Sequence, residues 1–149
     1  MLLGAVPAEA EPVAPQQDTT CAGDLVGALT RSPDQKTVLQ CRGTQGGGPR
    51  WQTFASPYPK GDRWLTYGPP TTLHGEGQPN REIDSGEWVG QPQDPDAQCE
   101  ARQQTVVAAG VLSTVQTSTG KPGESLTLQM APLLFSVELR GNCLWQRVL

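Results

Sequence analysis

Apolar and polar residues alternate most regularly near the C-terminal end of the chain, where the pattern predicts two strands. In both, every second residue is apolar: Leu126, Leu128 and Met130 in the first, and Phe135, Val137 and Leu139 in the second. A period of two is typical of strands with one buried face. Gly141 and Asn142 are expected to turn the chain after the second strand. Trp145 then shares a face with Cys143 and is expected to close one end of a core.

One helix is predicted, close to the start of the chain. Leu25, Val26 and Leu29 fall on one helical face, and the helix is expected to end before Ser32-Pro33-Asp34. Residues 37–42 are then predicted to form a strand that packs beside it. Residues 98–109 fit a strand or a helix, and their valines and threonine favour a strand.

Composition agrees with a fold of short strands and many turns. The 149 residues include 17 glycines and 14 prolines, while 36% are hydrophobic and 5% are aromatic. We therefore predict a mainly β fold, a compact antiparallel β-sandwich or rolled sheet with one short N-terminal helix and two disulfides. The length suits a single domain, which we place at residues 21–149.

Residues 1–20 are predicted to lie outside this domain. Residues 1–10 resemble the end of a secretory signal peptide, with an A-x-A-type cleavage site at Ala8-Glu9-Ala10; an Ala-rich disordered leader is the alternative. Residues 11–20 are rich in Pro, Gln and Ala, which predicts a flexible tether. The chain has no apolar run approaching the roughly 18 to 20 residues that a membrane-spanning helix needs.

Four cysteines are spread along the chain, at Cys21, Cys41, Cys99 and Cys143. They form no Cys-x-x-Cys pair, and the single histidine has no cysteine nearby in sequence, so a zinc site is not expected. An even number of separated cysteines in a domain with few apolar residues favours two disulfides and an oxidising compartment. Three connectivities are possible. We favour 21–41 with 99–143, because each pair then lies within one half of the chain.

Net charge and loop composition argue against several classes of ligand. The chain carries a formal charge of −4, and its basic residues are scattered, so nucleic acid is not an expected partner. The glycine run 46–48 lacks the strand, Lys-Ser/Thr and helix of a phosphate-binding loop. Asp94 and Asp96 supply too few oxygens for calcium. No cofactor or metal is therefore predicted.

Large aromatic residues are concentrated between residues 51 and 67. Five of the eight in the chain lie there, and the candidates for a binding surface are Trp51, Tyr58, Trp64 and Tyr67. Such a surface would stack sugar rings or bind a peptide. The alternative is that a domain with so few aromatics uses them in its core.

His74 is the one residue that suggests acid–base chemistry. It could act with Glu76 or Asp84 in a small hydrolase. However, the nearest serine, Ser85, lies in Asp84-Ser85-Gly86, which is more simply a turn. No nucleophile therefore accompanies the histidine in a recognisable setting, and a structural role is favoured.

Two sets of residues resemble secreted actinobacterial envelope proteins. The first, Glu82–Trp88 followed by Cys99 and the closing Cys143-Leu-Trp-Gln-Arg-Val, resembles a small exported β-domain. With Arg50–Gln52 and Gly75–Pro79, most of the chain resembles secreted mycobacterial proteins of uncharacterised function. It departs from them after Cys99, where Glu-Ala-Arg replaces the usual aromatic. The resemblance implies export, a Cys99–Cys143 disulfide and an envelope or extracellular setting, with no catalytic residues to carry over.

These observations favour a secreted, disulfide-stabilised, non-enzymatic protein. It is expected to bind an envelope protein or a cell-wall ligand. The alternatives are the small hydrolase centred on His74 and a structural component of an envelope or secretion complex, which an exposed apolar patch would favour.

Overall fold

A computed structural model of the chain describes residues 13–148. Within this range the chain forms ten strands: β1 (Leu29–Arg31), β2 (Val38–Arg42), β3 (Arg50–Thr53), β4 (Arg63–His74), β5 (Gly86–Pro92), β6 (Glu100–Ala108), β7 (Val111–Leu112), β8 (Gln116–Thr119), β9 (Leu126–Met130) and β10 (Leu134–Arg147). The predicted mainly β fold with two disulfides is confirmed. The sheet is mixed rather than purely antiparallel, because β1 pairs with β4 in parallel.

Strand β10 is the centre of the sheet. One of its edges pairs with β4 along most of its length. The other edge pairs with β6 from Leu134 to Arg140 and with β5 from Cys143 to Arg147. The main path therefore runs β3-β2-β1-β4-β10-β5-β9, and β6 forms a branch with β7 and β8. The buried Gln103 of β6 links this branch to the end of β9, because its side-chain amide donates to Gln129 O and accepts from the N–H of Ala131, the residue after β9 (3.0 Å each).

The branch point explains why the predicted turn at Gly141-Asn142 is wrong. The register of β10 against β4 shifts between Leu139 and Gly141, and Gly141 has a φ of 96°. A Cβ on Gly141 would lie 2.1 Å from the carbonyl oxygen of Gln98, so a larger residue would clash with backbone. The glycine thus makes a bulge within one long strand rather than a turn between two.

The predicted N-terminal helix is also wrong. Only Gly23–Leu25 is helical, as one 3₁₀ turn. Gly27 follows with a φ of 92°, donates its N–H to the Cys41 carbonyl at 2.8 Å, and reverses the chain toward β1. The apolar spacing fitted a helical face, but pairing with β2 satisfies this backbone instead, so tertiary structure overrides the local pattern.

Two cores lie on opposite faces of the sheet. We call the larger set of buried residues the large core; it includes Trp64, Leu73, Ile83, Trp88, Cys99, Met130, Leu134, Val137, Leu139, Cys143 and Trp145. The small core contains Cys21, Leu25, Ala28, Leu39, Cys41, Trp51, Leu65 and Leu144. Neighbouring residues of one strand enter different cores, as Trp64 and Leu65 do, because successive side chains of a strand point to opposite faces.

The alternation near the C-terminus is confirmed at most positions. Val137 and Leu139 are fully buried, and Trp145 shares the large core with Cys143, as predicted. Leu126 and Phe135 are only partly buried, and beside Phe135 it is Leu134 that takes the core position. A register shift between Leu134 and Ser136 against β6 changes which side chain faces inward.

Both disulfides have the predicted pairing, one in each core. Cys21 joins Cys41 across a sequence separation of 20, and Cys99 joins Cys143 across a separation of 44. The predicted signal remnant, residues 1–10, lies outside the described residues. The end of the predicted tether pairs with β3, since Asp18 N donates to Trp51 O at 2.8 Å and Trp51 N donates to Thr19 O at 2.9 Å. Within residues 13–148, no helix is long and apolar enough to cross a membrane.

Candidate functional site

The four aromatic candidates do not form one surface. Trp51, Trp64 and Tyr67 are 3%, 1% and 6% exposed, because each lies on a strand with its ring turned into packed side chains. Their polar atoms are used inside: Trp64 Nε1 donates to the carbonyl of Glu82 (3.3 Å) and Tyr67 Oη donates to that of Arg31 (2.7 Å). Burial, followed by the charge of Asp34, raises the pKa of Tyr67. Only Tyr58, 59% exposed, can meet a ligand.

Tyr58 lies in the loop between β3 and β4, flanked by Pro57 and Pro59. We call residues 56–59 the proline loop. Proline fixes φ and lowers the freedom of the unbound backbone, so the loop holds Tyr58 with little ordering cost. A cleft lies on each side of this loop, and the two clefts share Pro57 and Pro59.

The first cleft, the His74 cleft, has a volume of about 310 Å³. Its lining comprises Pro57, Tyr58, Pro59, His74, Gln78, Pro79, Asn80 and Glu82. The His74 side chain is half exposed. Gln78 is fixed by donating its side-chain N–H to the Phe135 carbonyl at 2.7 Å, which leaves its amide oxygen as an acceptor. An exposed ring and side-chain amides therefore border one concave space.

Glu82 anchors the base of this cleft. Its buried carboxylate forms a salt bridge with Arg31 and accepts the backbone N–H of His74 at 3.0 Å. The His74 Nδ1 lies 3.9 Å from the same carboxylate oxygen. The backbone N–H of Glu82 in turn donates to the His74 carbonyl at 2.8 Å. Residues 75–81 are thus closed at their base into a fixed loop that presents Gln78 and Asn80.

The acid–base partners expected for His74 are placed elsewhere. Glu76 accepts the backbone N–H of Leu133 at 3.0 Å. Asp84 lies 2.9 Å from Lys60 Nζ and 2.8 Å from Arg81 Nε. The sequence pattern did not predict a role for Glu82 beside His74. Its position was the one indication in the sequence. Residues 75–81, between His74 and Glu82, are rich in turn-forming residues, and a turn there would bring His74 and Glu82 together.

The second cleft, the Arg31 cleft, has a volume of about 400 Å³. It is lined by Arg31, Lys36, Thr37, Val38, Thr53, Phe54, Ser56, Pro57 and Pro59. Arg31 is held by Glu82 and by the Gln35 carbonyl, which accepts from Nη1 at 3.1 Å. Its Nε is buried with no hydrogen-bond partner in residues 13–148. Burial lowers the pKa of Arg31.

The acidic loop considered for calcium has a structural role. Asp94 accepts from the Asn142 side chain at 2.9 Å and from the Asp96 backbone at 2.8 Å, and these bonds lower its pKa. No group of three or more His, Cys, Asp or Glu side chains suited to a metal occurs in the described part of the chain. The bond between Asp94 and Asn142 ties this loop to β10.

A different surface is apolar. Four exposed apolar side chains lie from the end of β6 to the start of β8, at Val107, Val111, Leu112 and Val115, and a fifth, Leu133, is bonded to β6 through its carbonyl, which accepts the Val106 N–H at 3.0 Å. We call this set the hairpin patch. The chain from residue 103 to residue 120 contains no charged side chain. This patch therefore differs in chemistry from both clefts.

Comparisons of the chain with protein-family models, with curated proteins and with solved structures found no match. The resemblance to secreted mycobacterial proteins thus stays a prediction from the sequence. The functional assignment rests on the chemistry of the chain's own side chains.

Proposed function

We propose that this chain is a secreted, non-enzymatic binding protein of the bacterial envelope, and that it binds a cell-wall glycan in the His74 cleft. The observation that carries the proposal is the exposed ring of Tyr58 on a cleft bordered by Gln78, Asn80 and His74. The two disulfides support an oxidising setting outside the cytoplasm. The envelope location follows the sequence resemblance.

The side chains of the cleft suit a sugar better than a peptide. An aromatic face stacks on the apolar face of a pyranose ring, while amide and imidazole groups bond to its hydroxyls. An extended peptide would instead gain most of its affinity by adding a strand to a free sheet edge. The nearest edge, that of β3, is already paired with residues 18–20. A glycan is therefore the ligand class that we favour.

The test is an NMR or calorimetric titration with tetra-N-acetylchitotetraose, together with cosedimentation on purified insoluble peptidoglycan. Tyr58→Ala is expected to abolish binding, while Tyr58→Phe keeps the ring and is expected to bind within about threefold of the parent. Equal binding by Tyr58→Ala, or binding of an unstructured peptide in place of the sugar, would contradict the proposal. We also expect the oligosaccharide to remain intact by mass spectrometry. Cleavage that depends on His74 would favour the hydrolase alternative instead.

A structural role in an envelope or secretion complex is a second candidate, which the hairpin patch favours. Several exposed apolar side chains on one segment are more typical of an interaction surface than of free surface. Because residues 103–120 carry no charge, two copies can meet there without opposing like charges. Sedimentation velocity of the parent, of Val111→Asp and of Val26→Asp tests this. Association that only Val111→Asp removes supports assembly through the patch, and a monomer at all concentrations excludes it.

A further inference from the structure

We infer that the glycan bound by this chain is acidic, and that its anionic group binds in the Arg31 cleft. The inference rests on the proposed function, since the neutral part of the same ligand is taken to occupy the His74 cleft. The two clefts share Pro57 and Pro59. A chain of sugars crossing the proline loop can therefore contact both.

The polar side chains that line the Arg31 cleft are all hydrogen-bond donors. Its charged members are Arg31 and Lys36, and no carboxylate belongs to the lining. Three hydroxyl groups accompany them, on Thr37, Thr53 and Ser56. The Ser56 hydroxyl already accepts the Tyr58 N–H at 3.2 Å, so its own proton remains available to a ligand. A carboxylate or sulfate, which only accepts hydrogen bonds, matches this set.

Arg31 is the residue that makes the cleft more than a polar surface. Its side chain is 17% exposed, and its orientation is set by Glu82 and by the Gln35 carbonyl. The Tyr67 hydroxyl donates to the backbone carbonyl of Arg31 and so fixes the backbone at this residue. One donor, Nε, remains buried and without a partner in the described part of the chain. Because this atom is buried, Arg31 contributes to the cleft through the charge of its partly exposed guanidinium, and the hydrogen bonds to a ligand would come from Lys36 and the hydroxyl groups.

The acidic groups near this cleft are both engaged. Glu82 bonds to Arg31 and to the His74 backbone. Asp34 accepts from the Ser32 hydroxyl and from the Lys36 backbone N–H, and these bonds lower its pKa. The exposed Lys36 ammonium forms no salt bridge within residues 13–148. Its charge also acts on the Asp34 carboxylate and contributes to the lowered pKa of that group. Lys36 is nevertheless exposed at the cleft, where it can meet an anion, and the partly buried Phe54 borders the same space.

The experiment compares an acidic glycan with its neutral ester. The probes are a hyaluronan hexasaccharide, in which N-acetylglucosamine alternates with a carboxylated sugar, and the same hexasaccharide with every carboxyl methyl-esterified. We expect the acid to bind about tenfold or more tightly, because charge-assisted hydrogen bonds are roughly twice as strong as neutral ones. Lys36→Gln should remove most of this preference, while Lys121→Gln, at another exposed turn lysine, should leave it unchanged.

The outcomes separate this inference from the proposed function. If acid and ester bind equally and both need Tyr58, the anion site is wrong and the glycan proposal stands. If neither binds, both are wrong. Thr53→Val removes one exposed donor without touching the ion pair, and it should lower the acid preference severalfold if the cleft holds the carboxylate. Inorganic phosphate should compete with the acid and leave the ester unaffected; competition with both, or with neither, would contradict a separate anion site.

Discussion

The large core and the small core differ in how firmly they hold their part of the chain. In the large core, three tryptophans and both cysteines are 0–1% exposed, and β10 spans fourteen residues. The small core has one tryptophan, its Cys21 is 9% exposed, and β1 has three residues. The Arg31 cleft draws side chains from β1, β2 and β3, whereas the His74 cleft is lined by the proline loop, by His74 at the end of β4 and by residues 78–82. The candidate site thus lies between the two regions, with Glu82 connecting them.

The largest effect is expected from removing the end of β10. Truncation after Gly141 deletes both Cys143 and Trp145, whose indole N–H is bonded to Thr66 Oγ1 at 3.0 Å in the large core. A disulfide contributes about 3 to 4 kcal/mol and a buried aromatic about 3 to 5 kcal/mol, which together rival the stability of a domain. We expect no cooperative unfolding transition by calorimetry at 37 °C or above. A transition near the full-length midpoint would mean that the large core does not depend on this end.

Glu82 tests whether the two regions are coupled. It joins Arg31 of β1 to the segment that precedes β5, and it is 6% exposed. Glu82→Gln leaves the partly buried Arg31 guanidinium without its counter-ion and is expected to cost about 1.5 to 3 kcal/mol in urea unfolding. Glu76→Gln is the matched control, because an amide oxygen can still accept the Leu133 N–H. If Glu82→Gln costs no more than Glu76→Gln, the ion pair does not join the regions.

The two disulfides allow a direct comparison of the regions. Cys99–Cys143 closes a longer loop (sequence separation 44) than Cys21–Cys41 (separation 20). The difference in loop-closure entropy makes the longer one more stabilising by only about 0.7 kcal/mol. The sites differ further in burial, since Cys99 and Cys143 are fully buried. We therefore expect Cys99→Ala with Cys143→Ala to lower the free energy of unfolding more than Cys21→Ala with Cys41→Ala.

Hydrogen exchange locates the loss from each cysteine pair. Replacing Cys21 and Cys41 with alanine should raise amide exchange mainly in β1–β3, while β10 stays protected. Equal losses spread over the whole sheet would show that the two cores unfold as one unit.

The comparison also shows how far the sequence could be interpreted. Strands β9 and β10 were predicted because alternation is a local property, and the cysteine pairs because each lies within one half of the chain. The bulge at Gly141 depends on its close approach to Gln98, which no local pattern records. The predicted helix failed for the same reason, since Gly27 and β2 decide that segment. In the site, His74 and Tyr58 were recognised by residue type, whereas Arg31 and Glu82 meet only through the fold.

The smallest expected effect is a loss of stability in acid. In each of the two regions, one carboxyl group contributes to this loss. Hydrogen bonds from the Ser32 hydroxyl and the Lys36 N–H lower the pKa of Asp34 in the turn before β2. Bonds from Asn142 and the Asp96 N–H do the same for Asp94 beside β10. A carboxyl group with a lowered pKa adds stability that is present above its ordinary value of 3.8 and is lost as the pH falls through the lowered pKa.

Both side chains are exposed, so we expect only a slight loss, confined to pH values below 3.8. Between pH 6 and pH 2 the melting temperature of Asp34→Asn and of Asp94→Asn should fall slightly less than that of the parent. Neither variant has the carboxyl group whose contribution is lost in acid. Hydrogen exchange at low pH separates the two groups. Asp34→Asn should change acid exchange in β1–β3 alone, and Asp94→Asn should change it near Cys143. Identical exchange profiles in the two variants would show that acid acts on the whole sheet rather than on each region by itself.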